Sequence, residues 1–310
     1  MSTEHGRDLV IGIPKDAFRP SGVFLCLVAL FATSGWMAWA EFGNVRLDVF
    51  LFVVSGWLVS LCLHEYAHAI IAFRAGDVGV AHRGYLRLNP LKYSHPLLSI
   101  VLPIVVVLLG GIGLPGGAVW VDRHAIRGRL KHSLVSLAGP ATNVIFTLLL
   151  VIPFAVGVDV GAHEEFWAGV ALLAFLQLTA TVLNLMPVPG LDGGNMIQPW
   201  LPPQWRRGYD LMAPYGFILL FALLWHPWIY VWSFHAVFWL GDLLGLPSWL
   251  YVIGLDLIRA SFKLLERLEG RPDHEAGAMG AWKGSRSCPG RAPRSGRGSR
   301  RSPSARPGRA

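Results

Sequence analysis

The sequence predicts an all-α polytopic membrane protein with about six transmembrane helices. Three observations carry that prediction. The chain is 53% hydrophobic and 15% charged, against roughly 25% charged residues in soluble globular proteins. Apolar runs recur at near-spanning length, such as "GVFLCLVALFATSGWMAWA" from Gly22, "VFLFVVSGWLVSLCL" from Val49 and "VIFTLLLVIPFAVGV" from Val144. One soluble core burying all of them would leave almost no polar face.

Each element follows from the distribution of Lys and Arg, which are enriched in cytoplasmic loops. The mostly polar arm 1–21 carries Arg7, Lys15 and Arg19 and is placed inside. The run after it is long enough to span and lacks a small-residue cleavage site, so it reads as the first helix (Gly22 to Ala40) and not as a signal peptide. A second helix, Val49 to Phe73, returns inward to a loop with Arg74, Arg83, Arg87 and Lys92. The stretch 96–117 is apolar, yet "DRHAIRGRLKH" after it is basic again. A single crossing would put one basic loop outside. A re-entrant hairpin, or a short membrane-edge strand element, keeps both inside, and Pro103 and the Gly110–Gly111 pair are suitable breakers. Helices from Ser133 to Gly157 and from Phe166 to Met186 then go out and back around the acidic link "VDVGAHEE". Arg206 and Arg207 mark the inside, and two further spans, Leu211 to His226 and Tyr230 to Ile258, close the set.

The net charge of +8 is local. Residues 281–310 hold nine Lys or Arg and no acid, which leaves the rest of the chain at −1. Rich in Gly, Pro, Ser and Arg, this tail is expected to be disordered, cytoplasmic and in touch with anionic lipid. It has no nucleic-acid-binding signature, so no nucleic-acid partner is expected. The domain reading is an arm over 1–21, a membrane domain over 22–262 with its core at 49–201, and a basic tail over 263–310. Cys26, Cys62 and Cys288 form no disulfide framework. Cys62 points about 200° around its helix from His64 and reads as a packing residue.

The chemistry sits in "LCLHEYAHAIIAF", from Leu61 to Phe73. Ionisable groups in a membrane helix are costly and mark function. His64 and His68 are four apart, so one helix face carries both imidazoles a turn apart, as two ligands of a tetrahedral zinc require. Glu65 is placed to act on water at such a metal without ligating it. Zinc in catalytic sites takes three protein ligands. Asp192, in "NLMPVPGLDGG" from Asn184, lies at the same cytoplasmic side by the charge reading and is the candidate third ligand. Taken alone, Asp192 would be a turn residue.

These residues resemble the site-2 protease family of intramembrane zinc metalloproteases, in its compact bacterial form without an appended regulatory domain. The family's H-E-x-x-H motif is matched by His64, Glu65 and His68. Its N-x-x-P-x-x-x-[LM]-D-G-G motif is matched by Asn184, Pro187, Leu191, Asp192, Gly193 and Gly194. Its G-P-x-x-N element is matched by Gly139, Pro140 and Asn143. The resemblance covers about Val49 to Leu201. It implies one Zn2+ per chain held by His64, His68 and Asp192, with Glu65 as general base and then acid. It implies that Asn184 assists the developing oxyanion or holds substrate backbone. Asn143 is a candidate for substrate contact or, equally, for a hydrogen bond between helices. Gly117, Ala118 and Val119 fall where the family has a membrane-edge strand that could pair with unwound substrate, although compact members often show Lys-Pro-Val there. The implied substrate is a single-pass membrane protein or a signal-peptide remnant in the bilayer of the cell membrane; the oligomeric state is left open. A metal transporter would need several ligand-rich helices, which this chain lacks. A catalytically inactive scaffold is the other alternative, against which the intact Glu65 argues.

Overall fold

The computed structural model describes residues 13–14, 16–92 and 120–269, with side chains to 260. The hairpin expected over 96–117, the residues Gly117, Ala118 and Val119, and the tail beyond 269 lie outside the described residues. The helices up to Arg267 belong to one unit. Among the described residues there is no strand.

Helix α1 (Gly22–Trp39) starts where the Ser21 hydroxyl accepts from the Phe24 N–H at 3.2 Å. Helix α2 (Val45–Ala75) is capped by the Asn44 side chain, which accepts from the Leu47 N–H. It ends at Gly76, whose φ of 125° suits glycine alone. A short α3 (Gly79–His82) follows, then α4 (Arg129–Ala155), α5 (Glu164–Asn184) and a single-turn α6 (Asp192–Ile197). The chain continues through α7 (Pro203–Met212), α8 (Gly216–Leu224), α9 (Pro227–Leu243) and α10 (Ser248–Glu269).

Five of these stretches are long and apolar enough to cross a membrane, or six if the bent α9–α10 pair is one span, so the chain is a multi-pass membrane protein. They are not equivalent. In α2 and α5, 67% and 83% of the apolar window is buried, against 17% in α1 and 33% in α4. The two central helices therefore form the core, where Val49, Phe52, Val53 and Trp57 pack against Trp167, Ala171 and Leu172. Close approach depends on small residues. A side chain at Gly56 would meet Leu173 and Phe31 at 2.7 Å, so α1, α2 and α5 meet at that point.

The last spans differ from the sequence reading. Tyr230 to Ile258 is not one helix: α9 and α10 are bent by 117°. The break is written in "LLGLPS", where Gly245 takes φ 73° and Pro247 cannot continue the helix. Phe238 stacks on Phe175, and a Cβ at Gly241 would touch Leu178, so α9 runs in the direction of α5. Tyr251 stacks on the same Phe175, and Gly254 packs on Ala168 and Leu172, so α10 runs back against α5. The chain thus leaves Ala260 heading for the Glu164 end of α5. This corrects the charge reading, which returned it to the end holding Asn184. The Leu211–His226 span also begins earlier, with α7, and is interrupted by a 3-10 turn at Ala213–Tyr215.

The basic loops meet at one end of the bundle. Asp77, buried after α2, accepts from the Asp122 N–H at 2.8 Å and the Gly79 N–H at 2.9 Å, and pairs with Arg83 at 3.1 Å. Arg83 also donates to the Trp120 carbonyl and lies over its ring. The N-terminal arm joins them through Arg87–Asp16 at 2.7 Å and the Ser21 N–H to Arg87 carbonyl bond. Ser133 donates to the Met196 carbonyl at 2.7 Å, which ties α6 to the same end.

Candidate metal centre

The metal-ligand geometry begins with helix period. His64 and His68 are buried on one face of α2, and their Nε2 atoms lie 3.1 Å apart. Asp192 reaches them from the start of α6. Its Oδ2 is 3.3 Å from His64 Nε2 and its Oδ1 is 3.3 Å from His68 Nε2. The Gly193–Gly194 pair explains why this carboxylate arrives there. A Cβ at Gly193 would run into the Leu185 and Met186 carbonyls, and one at Gly194 into the Val188 carbonyl. Only glycine lets α6 fold back on the segment that ends α5.

Helix α4 sets the imidazoles. Val135, Gly139 and Asn143 fall at four-residue intervals, on one face. His68 Nδ1–H donates to the Val135 carbonyl at 2.7 Å, and His64 Nδ1–H donates to Asn143 Oδ1 at 3.1 Å. Each ring then presents a bare Nε2 toward the other and toward Asp192. Gly139 lies between: a Cβ there would collide with both Nε2 atoms and come within 2.6 Å of His64 Cε1.

This arrangement fits zinc. Zinc bonds of about 2.0–2.1 Å in a tetrahedron place neighbouring donors about 3.3 Å apart, close to the 3.1 and 3.3 Å found here. Bare imidazole nitrogens and a carboxylate would repel one another at that separation without a cation, and the outward Nδ1 bonds are the support metal-binding histidines use. Among the described residues, His64, His68 and Asp192 form the cluster able to hold a metal ion. The bare site atoms and the space kept by Gly139 make Zn2+ the cofactor that these residues accommodate.

Glu65 is buried beside the pair on α2. Asn184, at the end of α5, lines a small cavity with Ser60, His64, Asn143 and Gln177. Its volume of about 20 Å³ is room for one water. The Gln177 amide donates to the Ser60 hydroxyl. Sequence reasoning missed this pair. Its signal was available: Gln177 interrupts an apolar run seven residues before Asn184, on the same helix face. Of the expected residues, the structure brings together His64, His68, Asp192, Asn143 and Asn184, with Glu65 adjacent on α2.

Comparison with known proteins agrees with this geometry. The chain is 46% identical over 249 residues to "Putative zinc metalloprotease Rip2" of Mycolicibacterium smegmatis, covering 79% of this chain and 95% of that protein. It is 45% identical, at the same coverage, to the protein of that name from Mycobacterium tuberculosis strain H37Rv. "Putative zinc metalloprotease YwhC" of Bacillus subtilis is 32% identical over 190 residues, 58% of this chain and 83% of that protein. No family model matches the chain, and no solved structure matches it significantly. With a zinc-type donor triad on a membrane bundle and such identity over nearly the full length of these relatives, the chain belongs to the site-2 protease family of zinc metalloproteases.

Proposed function

We propose that the chain is an intramembrane endopeptidase that hydrolyses peptide bonds of membrane-spanning or membrane-associated proteins, such as single-pass proteins or signal-peptide remnants. The observation that carries this reading is the placement of two buried bare imidazoles, a carboxylate and Glu65 at one end of a bundle of membrane helices. Bound zinc supplies Lewis acidity, which makes water nucleophilic near neutral pH. His64, His68 and Asp192 hold it. Glu65 takes the proton of the attacking water and later delivers it to the leaving amine. The Asn184 amide donates to the carbonyl oxygen as negative charge develops there. Substrate backbone unwinds locally to expose that carbonyl. The metal-bearing end, with the N-terminal arm, faces the cytoplasm of the cell membrane, where water reaches the metal and the basic loops lie.

The test is zinc content and cleavage of a panel of transmembrane peptides by detergent-purified wild type and three variants, Glu65→Ala, His64→Ala and Asp192→Ala. The expected result is about one zinc per chain in wild type and Glu65→Ala, loss in the other two, and cleavage by wild type alone. Zinc without cleavage by wild type on every peptide would favour the inactive scaffold. A folded wild type without zinc would overturn the site.

A further inference from the structure

A second polar site lies on the metal-bearing end, apart from the ligand triad. A cleft of about 460 Å³ has Arg123, His124, Arg129, His132, Arg206 and Asp210 among its lining residues, with Gly128 and Gln198. Three guanidiniums face one carboxylate, an excess of two positive charges. The charges are incompletely used. Asp210 accepts from Arg123 at 3.2 Å and from Gln198 at 2.7 Å. Arg206 donates through Nη2 to the Pro199 carbonyl at 2.7 Å, but its buried Nε has no hydrogen-bond partner. Arg129 is exposed and makes no ion pair or side-chain hydrogen bond with the described residues. Gly128 and Arg129 also begin the 27-residue α4, whose first turn has no side-chain cap. Its free N–H groups add positive potential at the same place.

We propose that this cleft binds the phosphate of an anionic phospholipid headgroup. An oxyanion is the ligand class for converging guanidiniums and an uncapped helix start. The rim favours the lipid source. Trp200, Trp205, Leu130, Leu134 and Leu211 stand exposed beside the arginines, and apolar side chains next to basic ones are the pattern of a membrane-interface site. Arg123 also touches α6: it donates to Asn195 Oδ1 at 2.8 Å, three residues beyond Asp192. A phosphate in the cleft would compete with Asp210 for Arg123 and so act on the helix that carries the third ligand.

The full-length protein, delipidated in neutral detergent, is titrated with phosphatidylglycerol, phosphatidylcholine or inorganic phosphate and followed by native mass spectrometry. Retention of phosphatidylglycerol over phosphatidylcholine is expected, weakened about fivefold by Arg129→Gln and again by Arg206→Gln. Arg207→Gln, exposed on the same helix and outside the cleft, should change nothing. Arg129→Gln removes no ion pair or side-chain hydrogen bond with the described residues, so a folding defect is not expected to obscure the result. Binding of inorganic phosphate with the same variant dependence, and no lipid preference, would keep the anion site and assign its ligand to the soluble phase. Equal retention of both lipids with no phosphate binding, or retention insensitive to both cleft variants, overturns the proposal. So does displacement of the bound lipid by an acidic peptide but not by phosphate. The readout is binding, so it stands or falls independently of peptidase activity.

Discussion

Gly139→Ala isolates the contact on which the metal centre depends. Two effects of opposite sign follow from one methyl group. Alanine in a helix interior is favoured over glycine by about 1 kcal/mol. Against that, the new Cβ would overlap both Nε2 atoms and stand 2.6 Å from His64 Cε1, where ordinary contact begins at 3.4 Å. Both imidazoles must retreat by roughly 1 Å in a packed interior, and overpacking of this kind costs about 1–3 kcal/mol. Global stability should therefore change little or fall by about 2 kcal/mol. The retreat also disturbs the donor spacing and strains the His64–Asn143 and His68–Val135 bonds. Zinc affinity should fall by about a hundredfold or more, at the upper end of what loss of ligand support costs. Competition with a chromogenic chelator measures it, with a thermal melt in the same detergent. Gly208→Ala is the control. Nothing lies within 4 Å of a Cβ there, so the propensity gain of about 1 kcal/mol should appear alone, with zinc unchanged. Wild-type zinc affinity in Gly139→Ala would refute the placement of α4 against the metal.

Asn143→Ala removes the acceptor of His64 Nδ1–H and should weaken zinc about 10–100-fold while the protein stays folded, as read by the same chelator competition. Glu65→Gln should keep zinc and lower peptide cleavage by at least about a hundredfold, and chelation of wild type should abolish cleavage until zinc is restored. Asp77→Ala leaves the Gly79 and Asp122 amides and Arg83 without their acceptor, and should destabilise by about 1–3 kcal/mol in a thermal melt. Single cysteines at 82 and 124 should react with an impermeant maleimide from the same side of the membrane, because the loops that hold them are bonded through Asp77. Opposite labelling would contradict the fold.

Much of the site was legible because its residues are ones lipid penalises. His64, Glu65 and His68 stand out in an apolar run, and helix period alone places the two imidazoles together. Asp192 was harder, since Asp-Gly also reads as a turn. The family pattern selected it, and the structure shows why the glycines accompany it: they admit the backbone of α6 against the 185–188 carbonyls. The sequence leaves the role of Asn143 open between substrate and helix contact because no single-helix pattern shows which neighbour a side chain will meet. That information lies in the packing of α4 on α2. Span boundaries failed where hydropathy was uniform. "WHPWIYVWSFHAVFW" and the residues after it are mostly apolar, so the signal for the bend was one Gly-Leu-Pro step. The Lys and Arg bias brought the tail inside, and it carries no information about how far a helix pair penetrates before turning back.

The cost of three ionisable side chains in a membrane helix is met by the choice of helix. They sit on α2, one of the two helices most shielded by the others, and at its end near the polar loops. Every polar atom of the two imidazoles has a defined neighbour: α4 takes the Nδ1 protons and Asp192 faces the Nε2 lone pairs. Each element supplies what the others lack. α2 gives the helical spacing, α4 orientation and clearance through Gly139, and α6 the charge that offsets a dication. Without a cation the cluster would be acceptors with no counterion, so zinc bound there would also stabilise the junction of these three helices. Zinc removal should therefore lower the melting temperature of wild type and do so far less in His64→Ala, which no longer holds the ion. An equal shift in both proteins would show that the junction owes nothing to the metal.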